Sequence, residues 1–208
     1  MNTPRLPILL LSLSFVSAAF GAGIASSPET AVPLGVGAKA PVARIADPTG
    51  AQVGLSAVLG GKPTLLIFYR GGWCPYCSKH LATLSEVEQQ FLDMGWQIVG
   101  ISPDNPEALA AMADKQHVAY RLFSDRAMEA ASAFGLAFKV DAVTVEKYKG
   151  YNIDLPPVAG EPESRWLPVP AAYLVDADGT IRFAYTNADY RTRVDPAELI
   201  AAARAVSQ

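Results

Sequence analysis

The sequence predicts an α/β fold, a central mixed β-sheet flanked by α-helices, and three observations support this prediction. Strand-like and helix-like segments alternate along most of the chain, which is typical of parallel strands joined by helices. Two apolar runs of strand length, 64–69 and 96–101, suit central strands that are covered on both faces. An Asp-Gly turn at 178–179 joins the predicted strands 171–176 and 180–185 into a hairpin, which adds an antiparallel edge.

The first half of the predicted domain leads from two strands to a long helix. Residues 40–45 form the first strand, and residues 47–50 have turn-forming types. A short helical turn at 56–59 precedes the strand 64–69. The helix that follows begins near Cys74, because apolar residues recur there at spacings of three and four: Leu81, Leu84, Val87 and Phe91.

The second half continues the alternation. After the strand 96–101, either Asp104 or Asn105 can cap a helix that has Pro106 at its first position. A third strand at 119–124 and a short helix at 125–134 follow. These segments extend the parallel part of the predicted sheet.

Residues 140–168 fit neither a helix period nor a strand period, so we predict a long loop insertion there. A loop of this length is usually functional or disordered. Its aromatic residues Tyr148, Tyr151 and Trp166 either fold over a site as a lid or seal a small satellite core. A last helix, rich in alanine, begins at Asp195.

The N-terminal segment has the layout of a secretory signal peptide. Residues 1–5 carry one positive charge, and residues 6–20 are apolar and are followed by small residues. We therefore predict a signal peptide at 1–21, a flexible leader at 22–36 and one folded domain at 37–208. The alternative is an uncleaved anchor, but the apolar run is short against the roughly 20 residues that a spanning helix needs. The predicted location is the periplasm, with no stable membrane partner after cleavage.

The composition excludes several functions. The formal net charge is −3 and no basic run occurs, so nucleic acid is not an expected partner. A disulfide between the two cysteines would close too small a loop to stabilise the fold much. A zinc site would need two further ligands, for which only His80 and His117 offer nitrogen. We predict neither a metal nor a cofactor.

Cys74 and Cys77 are predicted to be a redox-active pair. Their spacing places both sulfurs in the first turn of a helix, where the positive end of the helix dipole favours the Cys74 thiolate. Pro75 suits this turn because it lacks an N–H group that would have no partner there. Gly71 and Gly72 allow the chain to turn sharply before the sulfur.

Several neighbours of the pair have candidate supporting roles. Trp73 would shield one side of the site, while Arg70 and Lys79 would add positive potential. Tyr76 either contacts partner polypeptides and shapes the thiol environment or is an exposed residue without a role. His80 is either a proton relay or an ordinary polar residue of the helix. Four other arginines are predicted to be solvated surface charges: Arg121, Arg126, Arg191 and Arg193.

The stretch Phe68-Tyr-Arg-Gly-Gly-Trp-Cys-Pro-Tyr-Cys77 resembles the active-site segment of peroxiredoxin-like proteins. These belong to the alkyl hydroperoxide reductase/thiol-specific antioxidant superfamily, whose fold is thioredoxin-like. The similarity extends from about residue 37 to residue 205 and includes Ile101-Ser-Pro-Asp104 and the segment 167–176. The resemblance implies that Pro170 is a cis-proline facing the dithiol.

The resemblance also implies a hydroperoxide reductase. Cys74 would attack the hydroperoxide and become a sulfenic acid, Cys77 would resolve it as a disulfide, and a thioredoxin-type donor would reduce the pair. The alternative is an exported thiol:disulfide oxidoreductase that acts on protein disulfides, in which Cys74 forms the mixed disulfide and Cys77 releases it. A binding module without catalysis is a third possibility, against which the intact pair argues.

The sequence departs from the family pattern in the groups that activate the peroxide. Ordinary members have a Pro and a Thr or Ser ahead of the reactive cysteine, and counting back from Cys74 or from Cys77 does not restore them. The Arg that usually precedes the late strand is also missing, since Pro170 stands near its place. Arg70 and the more distant Arg165 are the candidate substitutes.

Overall fold

The computed structural model describes residues 24–158 and 161–207, and the structural statements below concern those residues. The predicted signal peptide at 1–21 lies outside them. No helix within the described ranges has both the length and the apolar character needed to cross a membrane.

The described chain contains ten strands and six α-helices. The strands are β1 (Arg44–Ala46), β2 (Gln52–Gly54), β3 (Thr64–Phe68), β4 (Gln97–Ser102), β5 (Arg121–Ser124), β6 (Ala137–Lys139), β7 (Pro157–Val158), β8 (Glu161–Pro168), β9 (Ala171–Val175) and β10 (Ile181–Thr186). The helices are α1 (Leu55–Leu59), α2 (Pro75–Asp93), α3 (Pro106–Gln116), α4 (Glu129–Ala133), α5 (Ala142–Lys149) and α6 (Pro196–Val206).

Seven of these strands form the main sheet, in the order β10-β9-β3-β4-β5-β1-β2. β3, β4 and β5 are mutually parallel, whereas β9 is antiparallel to β3 and β10 is antiparallel to β9. The parallel strands are joined by helices, and the hairpin β9–β10 forms one edge. The predicted mixed sheet flanked by helices is confirmed.

The side chains of β3 point alternately into two apolar clusters, one on each face of the sheet. Leu66 and Phe68 pack in the cluster that also contains the apolar residues of α1 and α4. Leu65 and Ile67 pack in the cluster with the apolar residues of α2, α3 and α6. Every residue of β3 is buried, so the loop that leaves its carboxyl end starts from a rigid inner strand.

The predicted loop insertion 140–168 consists, in its described part, largely of secondary structure. It contains α5 and most of a small sheet in the order β6-β8-β7. The sequence pattern did not reveal α5 because none of its residues is buried, so it has no apolar face with a helical period. The sequence pattern did not reveal β8 either, because the first residues of this strand are exposed.

The predicted flexible leader at 22–36 is packed against the domain in its described part, residues 24–36. The Ala25 N–H donates to the Ala137 carbonyl at 3.2 Å, and the Lys139 N–H donates to the Ala25 carbonyl at 2.9 Å. The Leu34 N–H donates to the Phe134 carbonyl at 3.0 Å. These main-chain hydrogen bonds hold the segment along β6, which a composition of Pro and Gly could not indicate.

Candidate functional site

The dithiol lies where β3 passes into α2. Cys74 is the residue that caps the helix N-terminus, with φ −86° and ψ 112°, and Pro75 occupies the first helical turn. The Cys74 N–H donates to the Gly71 carbonyl at 3.1 Å, which closes the turn that precedes the helix. Cys77 lies within the first turn and faces the core. The structure thus places both sulfurs at the positive end of the helix dipole.

The two thiols differ in their acidity. Both cysteines are free, and each residue is only 1% exposed. A hydrogen bond from Cys77 lowers the pKa of Cys74 to about 6, and the charges of Arg70 and Arg193 act in the same direction, although burial opposes them. Burial raises the pKa of Cys77 well above its usual value, and the Cys74 thiolate raises it further. At neutral pH the pair is therefore a Cys74 thiolate beside a protonated Cys77.

Arg70 is enclosed by aromatic rings. It is 4% exposed, and its guanidinium carbon lies 3.9 Å from the ring centroid of Tyr190, 5.0 Å from Trp73 and 5.5 Å from Tyr148. We call these three rings the Arg70 cage. Arg70 also donates a hydrogen bond to the Tyr148 hydroxyl. None of the ion pairs of the described residues involves Arg70, and its charge contributes to the lowered pKa of Cys74.

The loop before Cys74 requires both of its glycines. Gly71 has φ 142°, and a Cβ there would lie 2.8 Å from Asp104 Oδ1. A Cβ on Gly72 would lie 2.9 Å from the side chain of Met112. Asp104 Oδ2 accepts hydrogen bonds from the Gly72 N–H at 2.7 Å and from the Ser102 hydroxyl at 3.0 Å. Asp104, considered in the sequence only as a helix cap, therefore holds the dithiol loop against the end of β4.

Arg193 contacts the dithiol, which the sequence did not indicate. It lies between β10 and α6, and its Nη2 donates a hydrogen bond to Cys77 Sγ at 3.2 Å. Its prediction as a solvated surface charge was wrong, whereas Arg191 is exposed and pairs with Asp189 at 2.9 Å. No local pattern could distinguish them, because Arg193 and Cys77 are 116 positions apart in the chain.

The remaining neighbours of the pair occupy different environments. Tyr76 is 43% exposed and packs edge-on against Tyr190, with 5.8 Å between the ring centroids. His80 is buried, and burial together with the Arg193 charge lowers its pKa to about 4. A proton relay through a charged His80 at neutral pH is therefore not favoured. Lys79 is exposed.

The three aromatic residues of 140–168 differ in their surroundings. Tyr148 reaches the site and packs on Trp73, with 5.4 Å between the ring centroids. Trp166 is half-buried against the apolar cluster on the other face of the sheet. Tyr151 is 64% exposed. Tyr148 thus lies where a lid residue was predicted, whereas Trp166 packs on the main core and not on a separate satellite core.

The cis bond expected before Pro170 is absent, because no cis peptide occurs in the described residues. The chain runs directly from β8 into β9 at this point, and the Val169 N–H donates to the Leu136 carbonyl at 2.8 Å. The trans peptide bond therefore allows β8 to continue directly into β9. Arg165 does not substitute for the missing family arginine either, since its Nη1 donates to the Pro162 carbonyl at 2.6 Å.

A cavity of about 250 Å³ adjoins Arg70, Tyr148 and Tyr190. Its walls are partly apolar, with contributions from Phe138, Val140, Leu167, Pro170 and Ala188. Neither cysteine is among the residues that line it. A larger cavity of about 520 Å³ lies between α1, α3 and β5, and no residue of the dithiol loop lines that one.

Among the described residues no group of three or more His, Cys, Asp or Glu is arranged to hold a metal ion.

Comparison of the sequence with known proteins supports the resemblance. A sequence model of the AhpC/TSA family matches residues 36–184 of this 208-residue chain. Peroxiredoxin Bcp of Escherichia coli K12 is 26% identical over 160 residues, which cover 77% of this chain and 89% of that protein. A Mycobacterium tuberculosis H37Rv protein named as a peroxiredoxin is 35% identical over 99 residues, or 48% of this chain. The chain spans 62% of the length of that relative and 58% of the length of chloroplastic peroxiredoxin Q from Gentiana triflora.

Solved structures share the fold. Peroxidoxin BcpB of Mycobacterium tuberculosis superposes with a TM-score of 0.63 at 21% identity, covering 83% of this chain and 98% of that one. The bacterioferritin comigratory protein of Xanthomonas campestris, studied for its alkyl peroxide reduction activity, superposes with a TM-score of 0.62 at 18% identity. That superposition covers 86% of this chain and 99% of the other. The thioredoxin-like fold is thereby confirmed.

Proposed function

Since this chain belongs to the AhpC/TSA family, we propose that it is a thiol-dependent peroxidase that reduces hydroperoxides through Cys74 and Cys77. The observation that carries the proposal is the asymmetry of the pair. Cys74 has a pKa of about 6 beside the buried guanidinium of Arg70, and Cys77 retains its proton. A thiolate next to a buried cation can both attack a peroxide and have the resulting negative charge stabilised.

In the first step the Cys74 thiolate attacks the terminal oxygen of the hydroperoxide. A sulfur–oxygen bond forms and the oxygen–oxygen bond breaks, so the sulfur is oxidised to a sulfenic acid and the peroxide is reduced. The leaving oxygen departs as an alkoxide or hydroxide and takes a proton to become an alcohol or water. Arg70 is the candidate to stabilise the charge on this oxygen, in place of the family's missing arginine.

In the second step Cys77 attacks the sulfur of the Cys74 sulfenic acid. The disulfide forms, the sulfur–oxygen bond breaks, and the hydroxide leaves as water with the proton of Cys77. A thioredoxin-type dithiol donor then reduces the disulfide by exchange and restores both thiols.

We further propose an organic hydroperoxide as the substrate. The cavity of about 250 Å³ lies beside Arg70, and part of its wall is apolar, although Lys139, Asp141 and Thr144 also line it. The apolar part suits an alkyl group attached to the peroxide. The Xanthomonas campestris protein, which has the same fold, was studied for alkyl peroxide reduction.

Export to the periplasm also remains a proposal, and it rests on the signal-like segment at 1–21. Mass spectrometry of the mature protein is expected to find an N-terminus near Phe20 or Ala22. Recovery of the intact Met1 form from the soluble exported fraction would contradict cleavage.

Stopped-flow kinetics would test the proposed activity. Reduced protein is mixed with an alkyl hydroperoxide and, separately, with a protein disulfide. Because Arg70 is assigned to the leaving oxygen, Arg70→Met should slow the peroxide reaction by about a hundredfold and the disulfide reaction much less. Arg44→Met is the matched control, since Arg44 is an exposed arginine paired with Glu129.

Two outcomes would contradict the proposal. Equal losses in both reactions would show that Arg70 has no specific role towards peroxide. Rapid disulfide exchange with a peroxide rate no higher than that of a free thiolate would indicate the thiol:disulfide oxidoreductase instead.

A further inference from the structure

The contact between Arg193 and Cys77 has no role in the reaction as described so far. The Arg193 guanidinium donates to Cys77 Sγ at 3.2 Å, and it is the charged side chain that hydrogen-bonds to a sulfur of the pair among the described residues. Its Nη1 donates to the Thr192 carbonyl at 3.3 Å. No carboxylate of the described residues forms an ion pair with it. The charges of Arg193 and Asp189 influence each other, but Asp189 forms its ion pair with Arg191, so the Arg193 guanidinium is available to an anion that forms at Cys77.

Cys77 needs such a partner because its environment suppresses ionisation. The residue is buried among apolar side chains of α2 and β9, and a buried thiol in such surroundings is inert. The resolving step nevertheless requires a Cys77 thiolate, since the thiolate and not the thiol is the nucleophile. Something in the site must therefore favour the charged form at the moment of resolution.

The other titratable groups around Cys77 do not supply a positive charge. On α2, His80 is neutral because burial and Arg193 lower its pKa to about 4. On the β3 side, burial keeps the Tyr69 phenol protonated by raising its pKa. The Arg70 charge acts on Cys74, and the Cys74 thiolate itself raises the pKa of Cys77. Arg193 is thus the cation that favours ionisation of Cys77.

We propose that Arg193 is a catalytic residue of the resolving step, in which it stabilises the Cys77 thiolate after Cys74 has been oxidised. This inference rests on the proposed function. Before oxidation the negative charge of Cys74 opposes ionisation of Cys77. Oxidation converts Cys74 to a neutral sulfenic acid, so the attraction of Arg193 for a Cys77 thiolate is no longer opposed. The pair would therefore become reactive in sequence, first Cys74 and then Cys77.

The role proposed for Arg193 does not alter the balance of electrons and protons in the resolving step. The Cys77 thiolate attacks Cys74 Sγ, the sulfur–sulfur bond forms and the sulfur–oxygen bond breaks. The hydroxide that leaves combines with the proton lost by Cys77 to give water. Arg193 exchanges no proton, because a guanidinium remains charged throughout.

Single-turnover kinetics of three variants would test this role. Reduced protein is mixed with hydrogen peroxide, oxidation of Cys74 is followed by peroxide consumption, and disulfide formation is followed by loss of the sulfenic acid that dimedone can trap. Arg193→Met removes the charge and keeps the apolar stem, whereas Arg193→Lys keeps the charge. Arg191→Met is the matched control, because Arg191 lies two positions away and pairs with Asp189 on the surface.

We expect Arg193→Met to slow disulfide formation about tenfold or more, because the Cys77 thiolate loses its charge-assisted hydrogen bond from the guanidinium. The pH midpoint of this phase should move upward, while peroxide consumption should change much less, since Arg70 acts on Cys74 more strongly than Arg193 does. Arg193→Lys should restore most of the rate, and Arg191→Met should behave as the wild type.

Several results would overturn the proposal. An unchanged rate of disulfide formation, or a slower rate with an unchanged pH midpoint and no rescue by lysine, would leave Arg193 with a structural role only. A selective loss of peroxide consumption would make Cys77 the attacking cysteine. If the wild type forms no sulfenic acid, the proposed function fails but this inference does not. In that case the rate at which Cys77 releases a mixed disulfide from Cys74 measures the reactivity of the same Cys77 thiolate. An unchanged rate of release in Arg193→Met would refute the inference.

Discussion

The Arg70 guanidinium donates a hydrogen bond to the Tyr148 hydroxyl, which joins the dithiol loop to α5 across 78 positions of the sequence. α5 is capped by Asp141, whose carboxylate accepts from the Thr144 N–H at 2.9 Å, and the helix buries none of its residues. Tyr148 is therefore held at the site largely by Arg70 and by stacking on Trp73. A helix attached in this way can move without disrupting the core.

This relationship predicts how Cys74 becomes accessible. Cys74 is 1% exposed, and its chain neighbour Trp73 belongs to the Arg70 cage, so we expect movement of the cage to make Cys74 more accessible. Tyr148→Ala removes one ring of the cage, and we expect a bulky maleimide to modify Cys74 several-fold faster in this variant than in the wild type. Tyr148→Phe, which keeps the ring but loses the hydroxyl, should give a smaller increase.

Tyr151→Ala is the control for this experiment, because Tyr151 is already 64% exposed. Equal modification rates in the wild type and in Tyr148→Ala would show that α5 does not restrict access to Cys74.

The pH dependence of the peroxide reaction follows from the acidity of Cys74. Its thiol loses the proton above a pKa of about 6, so the thiolate predominates at pH 7. We expect the bimolecular rate constant to be level above neutral pH and to fall about tenfold for each pH unit below 6. Ultraviolet absorbance of the thiolate should titrate with the same midpoint in the reduced protein.

Removing Cys77 should change that midpoint in a predictable direction. The hydrogen bond from Cys77 is the largest cause of the low pKa of Cys74, so Cys77→Ala should move the midpoint upward towards the usual 9.0. Cys77→Ser keeps a donor and should move it less. A wild-type midpoint near 9 would contradict the assignment of Cys74 as the thiolate.

The two cysteines should also differ in steady-state assays. Cys74→Ser should abolish redox turnover, because it deletes the nucleophile. Cys77→Ser should instead accumulate a sulfenic acid or a mixed disulfide on Cys74, which mass spectrometry after dimedone treatment would detect. Full steady-state turnover in Cys77→Ser would mean that the two roles are assigned wrongly.

Asp104 is predicted to stabilise the dithiol loop. Asp104→Ala leaves the Gly72 N–H and the Ser102 hydroxyl without their acceptor, which should reduce the free energy of unfolding by about 1–3 kcal/mol. Denaturant unfolding would measure this change, and Asp104→Asn, which retains one oxygen acceptor, should lose less. Asp114→Ala, on the exposed face of α3, is the control. Equal unfolding free energies for the Asp104→Ala and Asp114→Ala variants would show that the hydrogen bonds of Asp104 contribute little.

The errors of the sequence interpretation have a common physical cause. The sequence does not indicate α5, because an exposed helix has no apolar period. It does not indicate the packing of residues 24–36 either, because main-chain hydrogen bonds do not depend on the side-chain types that a sequence pattern records. The cis bond at Pro170 came from resemblance alone, and the strands on either side of it accept a trans path. Arg193 was placed on the surface because its partner is remote in the chain.

The sequence by itself determined the features that arise within a few residues. The apolar run of β3, the glycine turn and the Cys-Pro-Tyr-Cys start of α2 each follow from local burial, backbone freedom and helix capping. Together these features identified the position of the dithiol and the segment that resembles the family. Only the tertiary structure decided which charged and aromatic side chains surround the sulfurs, because Arg193 and Tyr148 reach the site from distant segments. The positions of these two side chains depend on how distant segments pack together in the folded domain, which no local sequence pattern specifies.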